Sequence, residues 1–315
     1  MRPVNSGFEK QAGRGGSEIS LLRSIGNTPL ISLVPNSSSN GKIFAKAEFL
    51  NPTGSVKDRA GAKMLETAIQ NDGILDLKRD ILDSSSGNTG ISLAAFGASL
   101  GLRVSIVLPE SASIERQKLL RLYGASIIFS DPMEGSDGAI RVARDLVEKS
   151  PEKYYYTDQY SNEANWQAHF FGTAEEIWNQ TSRKITHLVA GVGTGGTIMG
   201  TGKRLKELNP EIQIIAVEPD GPFHGIEGLK HIESSIKPKI FDETFPDETV
   251  FIKTEDAQKM VLKLAKEQGL FVGTSSGAAY SACQRFTTSG NMVVGIFADQ
   301  GSRYLSEKYL QVGAP

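Results

Sequence analysis

Strands and helices alternate along this chain from about residue 42 to residue 297, and this alternation constrains the fold more than any other feature. A strand over 103–109, ended by a proline, is followed by a helix over 114–123 that Gly124 closes as a C-terminal cap. Repeated units of this kind build a mostly parallel sheet with helices on both faces. Binding sites in such sheets lie beyond the carboxyl ends of the strands. Candidate functional residues are therefore expected where a strand ends and a helix begins.

The composition excludes several classes of function. The chain has 315 residues, 39% hydrophobic and 22% charged, which is enough for two lobes with separate cores. A net charge of -2 provides no basic field for nucleic acid or an anionic membrane, and no apolar run reaches membrane-spanning length. The single cysteine, Cys283, excludes a disulfide framework and a cysteine-only metal cluster. One cysteine fits a reducing compartment, so we expect a cytoplasmic protein.

The first junction with unusual chemistry is 51–60, Asn-Pro-Thr-Gly-Ser-Val-Lys-Asp-Arg-Ala. It follows an alternating strand at 42–49 and begins with turn-forming residues. Ser55 is predicted to cap the next helix, which places Lys57 in the first helical turn. The positive end of the helix dipole disfavours an ammonium group there, and a lysine with a lowered pKa can attack a carbonyl. A lone lysine is more often a solvated surface residue, so the other junctions must decide.

Further junctions carry hydroxyl and amide groups beside predicted helix starts. Residues 84–90, Ser-Ser-Ser-Gly-Asn-Thr-Gly, have the composition of an anion cradle. Residues 191–197, Gly-Val-Gly-Thr-Gly-Gly-Thr, follow a strand and resemble a phosphate loop. Residues 273–279, after a predicted strand at 270–272, offer hydroxyl groups without charge. The amide-rich loop 158–162 precedes a helix predicted over 165–180.

The glycine loop leaves a second interpretation open. Gly191-x-Gly193-x-x-Gly196 satisfies the dinucleotide-binding fingerprint, and Glu218 closes the next strand, where a ribose-binding acid would stand. Taken alone, this half of the chain predicts an NAD-binding Rossmann protein. That interpretation explains neither the lysine junction nor the hydroxyl-rich junctions.

Four of these stretches, in order, resemble the motifs of cysteine synthase, O-acetylserine sulfhydrylase. They are residues 51–59, 85–90, 193–197 and 273–279. That family and its relative cystathionine β-synthase share the pyridoxal-phosphate fold of the tryptophan synthase β type. The resemblance extends from about Ile25 to about Ser306, and four ordered motifs are far more specific than one.

The resemblance implies an α/β fold of two lobes, each a mostly parallel twisted sheet covered by helices, with the cofactor in the cleft between them (fold type II). Residues 52–162 would form a smaller N-terminal lobe with a mobile substrate loop. Residues 19–51 and 163–315 would form a larger C-terminal lobe with the phosphate loop. Residues 1–18 are polar and glycine-rich, which predicts a flexible tail rather than a signal peptide.

The resemblance also implies residue roles. Lys57 would hold pyridoxal phosphate as a Schiff base and, once freed, would take the substrate's α-proton. Asn88 would hydrogen-bond the phenolic oxygen of the ring, and Ser275 would face the ring nitrogen. The residues expected to bind the cofactor phosphate are Gly193, Thr194, Gly195, Gly196 and Thr197. Those expected to hold the substrate carboxylate are Ser85, Ser86, Thr89 and Gln159.

The implied reaction replaces the β-substituent of an activated serine, O-acetylserine in the first place, with sulfide to give L-cysteine. A neutral hydroxyl at the ring nitrogen makes the ring a weaker electron sink, which favours β-elimination over transamination. The alternatives are a cysteine synthase that uses O-phosphoserine or thiosulfate, and cystathionine β-synthase activity on serine and homocysteine. A homodimer is expected from the resemblance, and serine acetyltransferase is a candidate partner.

The resemblance implies that residues 221–231 border the active-site entrance, in a region that differs among subgroups of the family. The segment carries two of the four histidines, but no cysteine or carboxylate cluster accompanies them, which disfavours a metal site. It also carries Lys230, where relatives that use phosphoserine carry a basic residue. Lys230 is therefore a candidate contact for a phosphate leaving group. The alternatives are a solvated loop lysine and a lysine that helps to hold the closed loop for every substrate alike.

Overall fold

The computed structural model describes residues 21–35, 41–72, 79–85 and 87–311, so the predicted tail at 1–18 lies outside the described residues. The strands are β1 (Leu30–Leu33), β2 (Lys42–Ala47), β3 (Asp80–Ser84), β4 (Val104–Pro109), β5 (Ser126–Ser130), β6 (Tyr154–Tyr156), β7 (His187–Gly191), β8 (Gln213–Pro219), β9 (Glu248–Ile252) and β10 (Met292–Phe297). The α-helices are α1 (Lys57–Asp72), α2 (Asn88–Leu100), α3 (Ile114–Leu122), α4 (Gly135–Lys149), α5 (Glu163–Ala168), α6 (Ala174–Gln180), α7 (Gly196–Leu208), α8 (Thr254–Gln268) and α9 (Thr274–Cys283). Within the described ranges, no helix is long and apolar enough to cross a membrane.

The chain separates into two compact units. Among the described residues, the N-terminal unit contains 21–25, 51–53 and 57–165, and the C-terminal unit contains 26–50, 54–56 and 166–311. These bounds differ in detail from the predicted lobes, because residues 21–25 cluster with the N-terminal unit. Leu22 explains this difference, since its buried side chain belongs to the same apolar cluster as Met64 and Phe96.

The N-terminal unit holds a four-stranded parallel sheet in the order β5-β4-β3-β6. All six residues of β4 are buried, as expected for a parallel strand covered on both faces. α2 carries no charge and is buried from Thr89 to Gly97, so it is a core helix. Because β3 and β6 run parallel as neighbours, residues 85 and 87–89 follow β3 at the same edge of the sheet where residues 157–159 follow β6.

The C-terminal unit holds a six-stranded sheet in the order β1-β2-β10-β7-β8-β9. β1 pairs antiparallel with β2, and all the other pairs are parallel. Neighbouring residues of β7, Leu188 and Val189, belong to different apolar clusters, because successive side chains of a strand point to opposite faces. Both faces of this sheet are therefore packed, and the predicted fold class of two mostly parallel, helix-covered sheets is confirmed.

Three local predictions were wrong or incomplete. Residues 270–272 do not form a strand, because Gly269 ends α8 in the left-handed conformation and only four residues remain before α9. Val272 makes just an isolated bridge with Gln300. The helix predicted over 165–180 is interrupted by a π turn at His169–Thr173. The edge strands β1 and β9 were not predicted.

Candidate functional site

Lys57 is the first residue of α1, in the first helical turn as the sequence predicts. The helix begins two residues after Ser55, and the capping role of Ser55 stays a prediction. Asp58 stabilises the turn: its buried carboxylate accepts hydrogen bonds from the Thr53 backbone N–H, at 2.6 Å, and from the Thr53 hydroxyl. The Ser92 hydroxyl of α2 donates to the Lys57 carbonyl at 3.1 Å. The Lys57 backbone and the turn before it are therefore held by hydrogen bonds within the N-terminal unit.

The loop that follows β3 is organised by Ser85. Its buried Oγ accepts hydrogen bonds from the backbone N–H groups of Gly87, at 3.2 Å, and Gly90, at 2.9 Å, at the start of α2. The side chain of Arg116 packs against Gly87, where an added Cβ would lie 2.8 Å from the arginine Cδ. Asn88 is half-buried at the first position of α2. Ser86, a predicted carboxylate ligand, lies outside the described residues.

Thr89 and Gln159 are brought together, but each binds the other. The Thr89 hydroxyl donates to Gln159 Oε1 at 2.6 Å, and Gln159 Nε2 donates to the Ser84 carbonyl at 2.6 Å. Both side chains are buried. A carboxylate that used the Thr89 proton would have to displace the Gln159 oxygen from it.

Asp83 is a site neighbour that the sequence reasoning missed. Its carboxylate is fully buried at the end of β3, accepts a hydrogen bond from the Thr157 hydroxyl, and lies 3.4 Å from Gln159 Nε2. Burial raises the pKa of Asp83 to about 7, the charge of Asp158 adds to the rise, and the Thr157 hydrogen bond opposes it. The available signal was an acid immediately after the apolar pair Ile81 and Leu82, in a strand predicted to be covered on both faces.

In the C-terminal unit, the glycine loop between β7 and α7 leaves no room for side chains at two positions. Gly195 has φ +83°, and an added Cβ would lie 2.6 Å from the Phe241 Cβ. An added Cβ on Gly193 would overlap the Gly228 carbonyl oxygen. The Thr194 hydroxyl accepts a hydrogen bond from the Gly196 N–H at 3.3 Å. The loop is thus a tightly held backbone turn at the N-terminus of a 13-residue helix, which suits an anion.

The segment 221–231 packs directly on this loop. The Lys230 N–H donates to the Val192 carbonyl at 2.9 Å, and the Leu229 side chain fills the space beside Gly191. Lys230 is 5% exposed, so the alternative of a solvated loop lysine is wrong. Within the described residues, no group of three histidine, cysteine or acidic side chains could hold a metal ion.

Glu218 takes part in a hydrogen bond within the C-terminal unit. Its Oε2 accepts a hydrogen bond from the Ile232 backbone N–H at 3.1 Å, and burial raises the pKa of this carboxyl. The acid therefore ties the end of β8 to the chain after residue 231. This hydrogen bond gives Glu218 a structural role that does not need a ribose ligand.

Three consecutive hydroxyl groups begin α9, and two of them serve the fold. The Thr274 hydroxyl accepts from the Glu227 N–H at 3.1 Å, and the Ser276 hydroxyl accepts from the Ala298 N–H at 2.9 Å. The hydroxyl of Ser275, buried between them, makes no hydrogen bond within the part of the chain that the structure describes. It is therefore available to a ligand.

A further residue without a sequence-based role is His169, in the π turn. Its Nδ1 lies 2.9 Å from the Thr173 hydroxyl, and its Nε2 lies 3.3 Å from the hydroxyl of Thr197, the last residue of the glycine loop. The histidine is fully buried. A lone histidine inside a predicted helix gave no signal of this contact.

Comparisons with known proteins identify the family. The model of a family described as pyridoxal-phosphate dependent enzymes matches residues 21–298. The chain belongs to this family. It is 52% identical over 296 residues to a cysteine synthase from Aquifex aeolicus (strain VF5), covering 91% of this chain and 90% of the relative.

Solved structures of other family members agree. A cysteine synthase (OASS) from Entamoeba histolytica superimposes with a TM-score of 0.87 at 36% identity, covering 96% of this chain and 93% of the other. An O-acetylserine dependent cystathionine β-synthase from Helicobacter pylori gives a TM-score of 0.85 at 35% identity, covering 94% and 99%. The resemblance stated from the sequence is confirmed, and the cofactor of this pyridoxal-phosphate enzyme is pyridoxal 5′-phosphate.

The local chemistry fits that cofactor. A phosphate accepts hydrogen bonds and carries negative charge, which matches a glycine loop with hydroxyl groups at a helix N-terminus. A pyridine nitrogen matches the uncommitted Ser275 hydroxyl, which can donate to it. An aldehyde matches a lysine amine at a helix start.

Proposed function

We propose that this chain is a pyridoxal-phosphate-dependent cysteine synthase, which replaces the acetoxy group of O-acetylserine with sulfide to form L-cysteine. The observation that carries the proposal is the free hydroxyl of Ser275, flanked by two hydroxyl groups that are committed to the fold. A neutral group at the ring nitrogen favours loss of a β-substituent over transamination. The relatives named cysteine synthase support the same reaction.

Lys57 carries the central chemistry in this proposal. When bound, the cofactor supplies an electron-withdrawing ring that acidifies the α-carbon of an amino acid. The Lys57 amine is the point of covalent attachment and, once released, its Nζ takes the α-proton as a general base. Asn88, the first residue of the next helix in the N-terminal unit, is assigned to the phenolic oxygen of the ring.

The remaining roles follow the two loops. In the C-terminal unit, the five residues from Gly193 to Thr197 are assigned to the cofactor phosphate. In the N-terminal unit, Ser85, Ser86, Thr89 and Gln159 are assigned to the substrate carboxylate. On substrate binding, the Thr89 hydroxyl would donate its hydrogen bond to a carboxylate oxygen instead of to Gln159. A neutral hydrogen bond would thereby be replaced by a charge-assisted one.

The test of this assignment uses borohydride reduction. Reduction of the yellow holoenzyme should fix the cofactor to Lys57, as located by peptide mass spectrometry. Lys57→Ala should bind cofactor weakly, leave none of it reducibly attached and form no cysteine. Lys63→Ala, on the same helix, removes a lysine that pairs with Glu66 at 2.8 Å and should keep all three properties. Attachment at another lysine would refute the assigned role.

For Lys230 we propose a contact with the substrate's leaving group. Its burial beside the glycine loop supports a role beyond solubility. A dianionic phosphate would gain more from the ammonium group than a neutral acetyl group would. Lys230→Ala should therefore lower kcat/KM for O-phosphoserine by roughly ten- to a hundredfold and barely change that for O-acetylserine. The exposed Lys239→Ala is the control. Equal losses with both donors would contradict the contact.

We also propose that the enzyme is a cytoplasmic homodimer and that a serine acetyltransferase is its candidate partner. The single, fully buried Cys283 supports a reducing compartment, because no disulfide can form within the chain. Light scattering of the purified protein should give twice the mass of the 34.0 kDa chain. Co-elution with a serine acetyltransferase would test the second interaction.

A further inference from the structure

The π turn His169–Thr173 places a buried histidine next to the glycine loop. Nδ1 of His169 lies 2.9 Å from the Thr173 hydroxyl, four residues on, and Nε2 lies 3.3 Å from the Thr197 hydroxyl. His169 and Thr173 are fully buried, and Thr197 is 7% exposed. The imidazole therefore joins the π turn to the first turn of α7 by hydrogen bonds through both of its nitrogens.

Close backbone packing holds this contact in place. Gly200 lies in α7 one turn after Thr197, and an added Cβ there would overlap the Trp166 carbonyl oxygen and lie 2.9 Å from the His169 Cβ. The two elements can approach this closely because Gly200 has no side chain. π turns are rare and occur frequently at functional sites, so the irregularity itself points to a role for the residues it displays.

The direction of the hydrogen bonds decides what that role is. Phosphate oxygens only accept, so a Thr197 hydroxyl that binds phosphate must give its single proton to the phosphate. The bond to His169 must then run from the imidazole Nε2–H to the Thr197 oxygen. A neutral imidazole with its proton on Nε2 has an accepting Nδ1, which the Thr173 hydroxyl satisfies.

We propose that His169 is a positioning residue for the cofactor phosphate: it donates from Nε2 to Thr197, and so directs the threonine proton toward the phosphate. Thr173 fixes the required tautomer by donating to Nδ1. This inference rests on the proposed phosphate role of residues 193–197. It predicts that the histidine affects phosphate binding without touching the phosphate.

Two substitutions separate this role from simple core packing. The Asn amide reaches the position of Nδ1, so His169→Asn keeps a partner for Thr173 but removes the donor to Thr197. The Gln amide reaches the position of Nε2, so His169→Gln restores that donor. The measured quantity is the affinity of the full chain for pyridoxal phosphate relative to pyridoxal, which can form the same covalent link but has no phosphate.

We expect His169→Asn to reduce this affinity ratio by about tenfold, with pyridoxal binding nearly unchanged, and His169→Gln to recover most of the loss. The ³¹P resonance of the holoenzyme should shift in His169→Asn and return toward the wild-type position in His169→Gln. The matched control is His187→Asn. His187 also pairs with a threonine, with Nδ1 2.8 Å from the Thr186 hydroxyl, but it lies at the opposite end of β7 from the glycine loop.

Thr197→Ala distinguishes failure of this inference from failure of the phosphate assignment. It should reduce the same ratio, and adding His169→Asn to it should cause little further loss, because the histidine acts through that hydroxyl. Suppose that Thr197→Ala reduces the ratio, but His169→Asn weakens the binding of pyridoxal phosphate and of pyridoxal equally, or weakens neither. Only the positioning role is then refuted, and the phosphate assignment stands. Additive losses refute the positioning role as well. If Thr197→Ala leaves the ratio unchanged, both the phosphate assignment and the positioning role fail.

Discussion

The two loops to which ligands are assigned in the proposed function are held by different forces. In the C-terminal unit, the glycine loop is fixed sterically, since added side chains at Gly193 or Gly195 would collide with the Gly228 carbonyl or with Phe241. In the N-terminal unit, the loop after β3 is fixed by exchangeable hydrogen bonds, with Ser85 holding two backbone N–H groups and Thr89 bound to Gln159. The sterically fixed loop cannot rearrange easily, whereas the hydrogen-bonded loop can change its hydrogen-bond partners.

This difference matches the ligands proposed for each loop. A cofactor that stays bound through many reaction cycles gains from a site that needs no rearrangement, because ordering a loop on binding would cost free energy each time. A substrate carboxylate enters and leaves in every cycle. When the carboxylate is absent, polar groups of the loop hydrogen-bond to one another, which avoids the cost of burying unpaired donors. Substitutions that act on only one kind of restraint test whether each loop is held in the way described.

The largest expected effect comes from Gly195→Ala. The left-handed φ of +83° and the clash with Phe241 should together cost about 2–5 kcal/mol, and cofactor affinity should fall by about a hundredfold. Cofactor titration and urea unfolding measure the two losses. The control is Gly221→Ala, because within the described residues no atom lies within 4 Å of an added Cβ there. A Gly195→Ala variant as tight and as stable as Gly221→Ala would show that the loop is not sterically fixed.

A smaller, pH-dependent effect on the free energy of unfolding is expected at Asp83, in the strand that precedes the hydrogen-bonded loop. The Asp83 carboxyl has a pKa raised from 3.8 to about 7 in the folded chain, so at intermediate pH the native state holds a proton that the unfolded state has lost. This group's contribution to the free energy of unfolding must therefore decrease as pH rises through that window, by at most about 1.4 kcal/mol per pH unit. Asp83→Asn should flatten the profile measured by urea unfolding between pH 4 and 7.

Thr157 provides the companion variant for that experiment. Its hydroxyl donates to Asp83 and lowers the pKa of the carboxyl. Thr157→Val removes this donor and should move the region of pH-dependent stability toward higher pH. If Asp83→Asn keeps the wild-type slope, the buried carboxyl is not the group responsible.

The sequence predicted what depends on local pattern and missed what depends on packing. Lys57 at a helix start, the parallel sheets and the loops after β3 and β7 follow from periodicity and turn chemistry, which a single sequence displays. The bond between Thr89 and Gln159 joins residues 70 positions apart, and the contact between His169 and Thr197 joins residues 28 apart. No local pattern encodes such pairs, because they arise only when sheet order and helix packing are set.

The smallest expected effect concerns Ser85, which tests the exchangeable side of the comparison. Ser85→Ala leaves the Gly87 and Gly90 N–H groups without their acceptor at the start of α2, which should cost about 0.5–2 kcal/mol in urea unfolding. The KM for O-acetylserine should rise several-fold, while cofactor affinity should stay unchanged, because the glycine loop is held by its own packing within the C-terminal unit. Ser113 precedes α3 in the same unit, and its hydroxyl makes no hydrogen bond within the described part of the chain, so Ser113→Ala is the matched control. Equal losses from the two serines would mean that the Ser85 hydroxyl does not organise the loop.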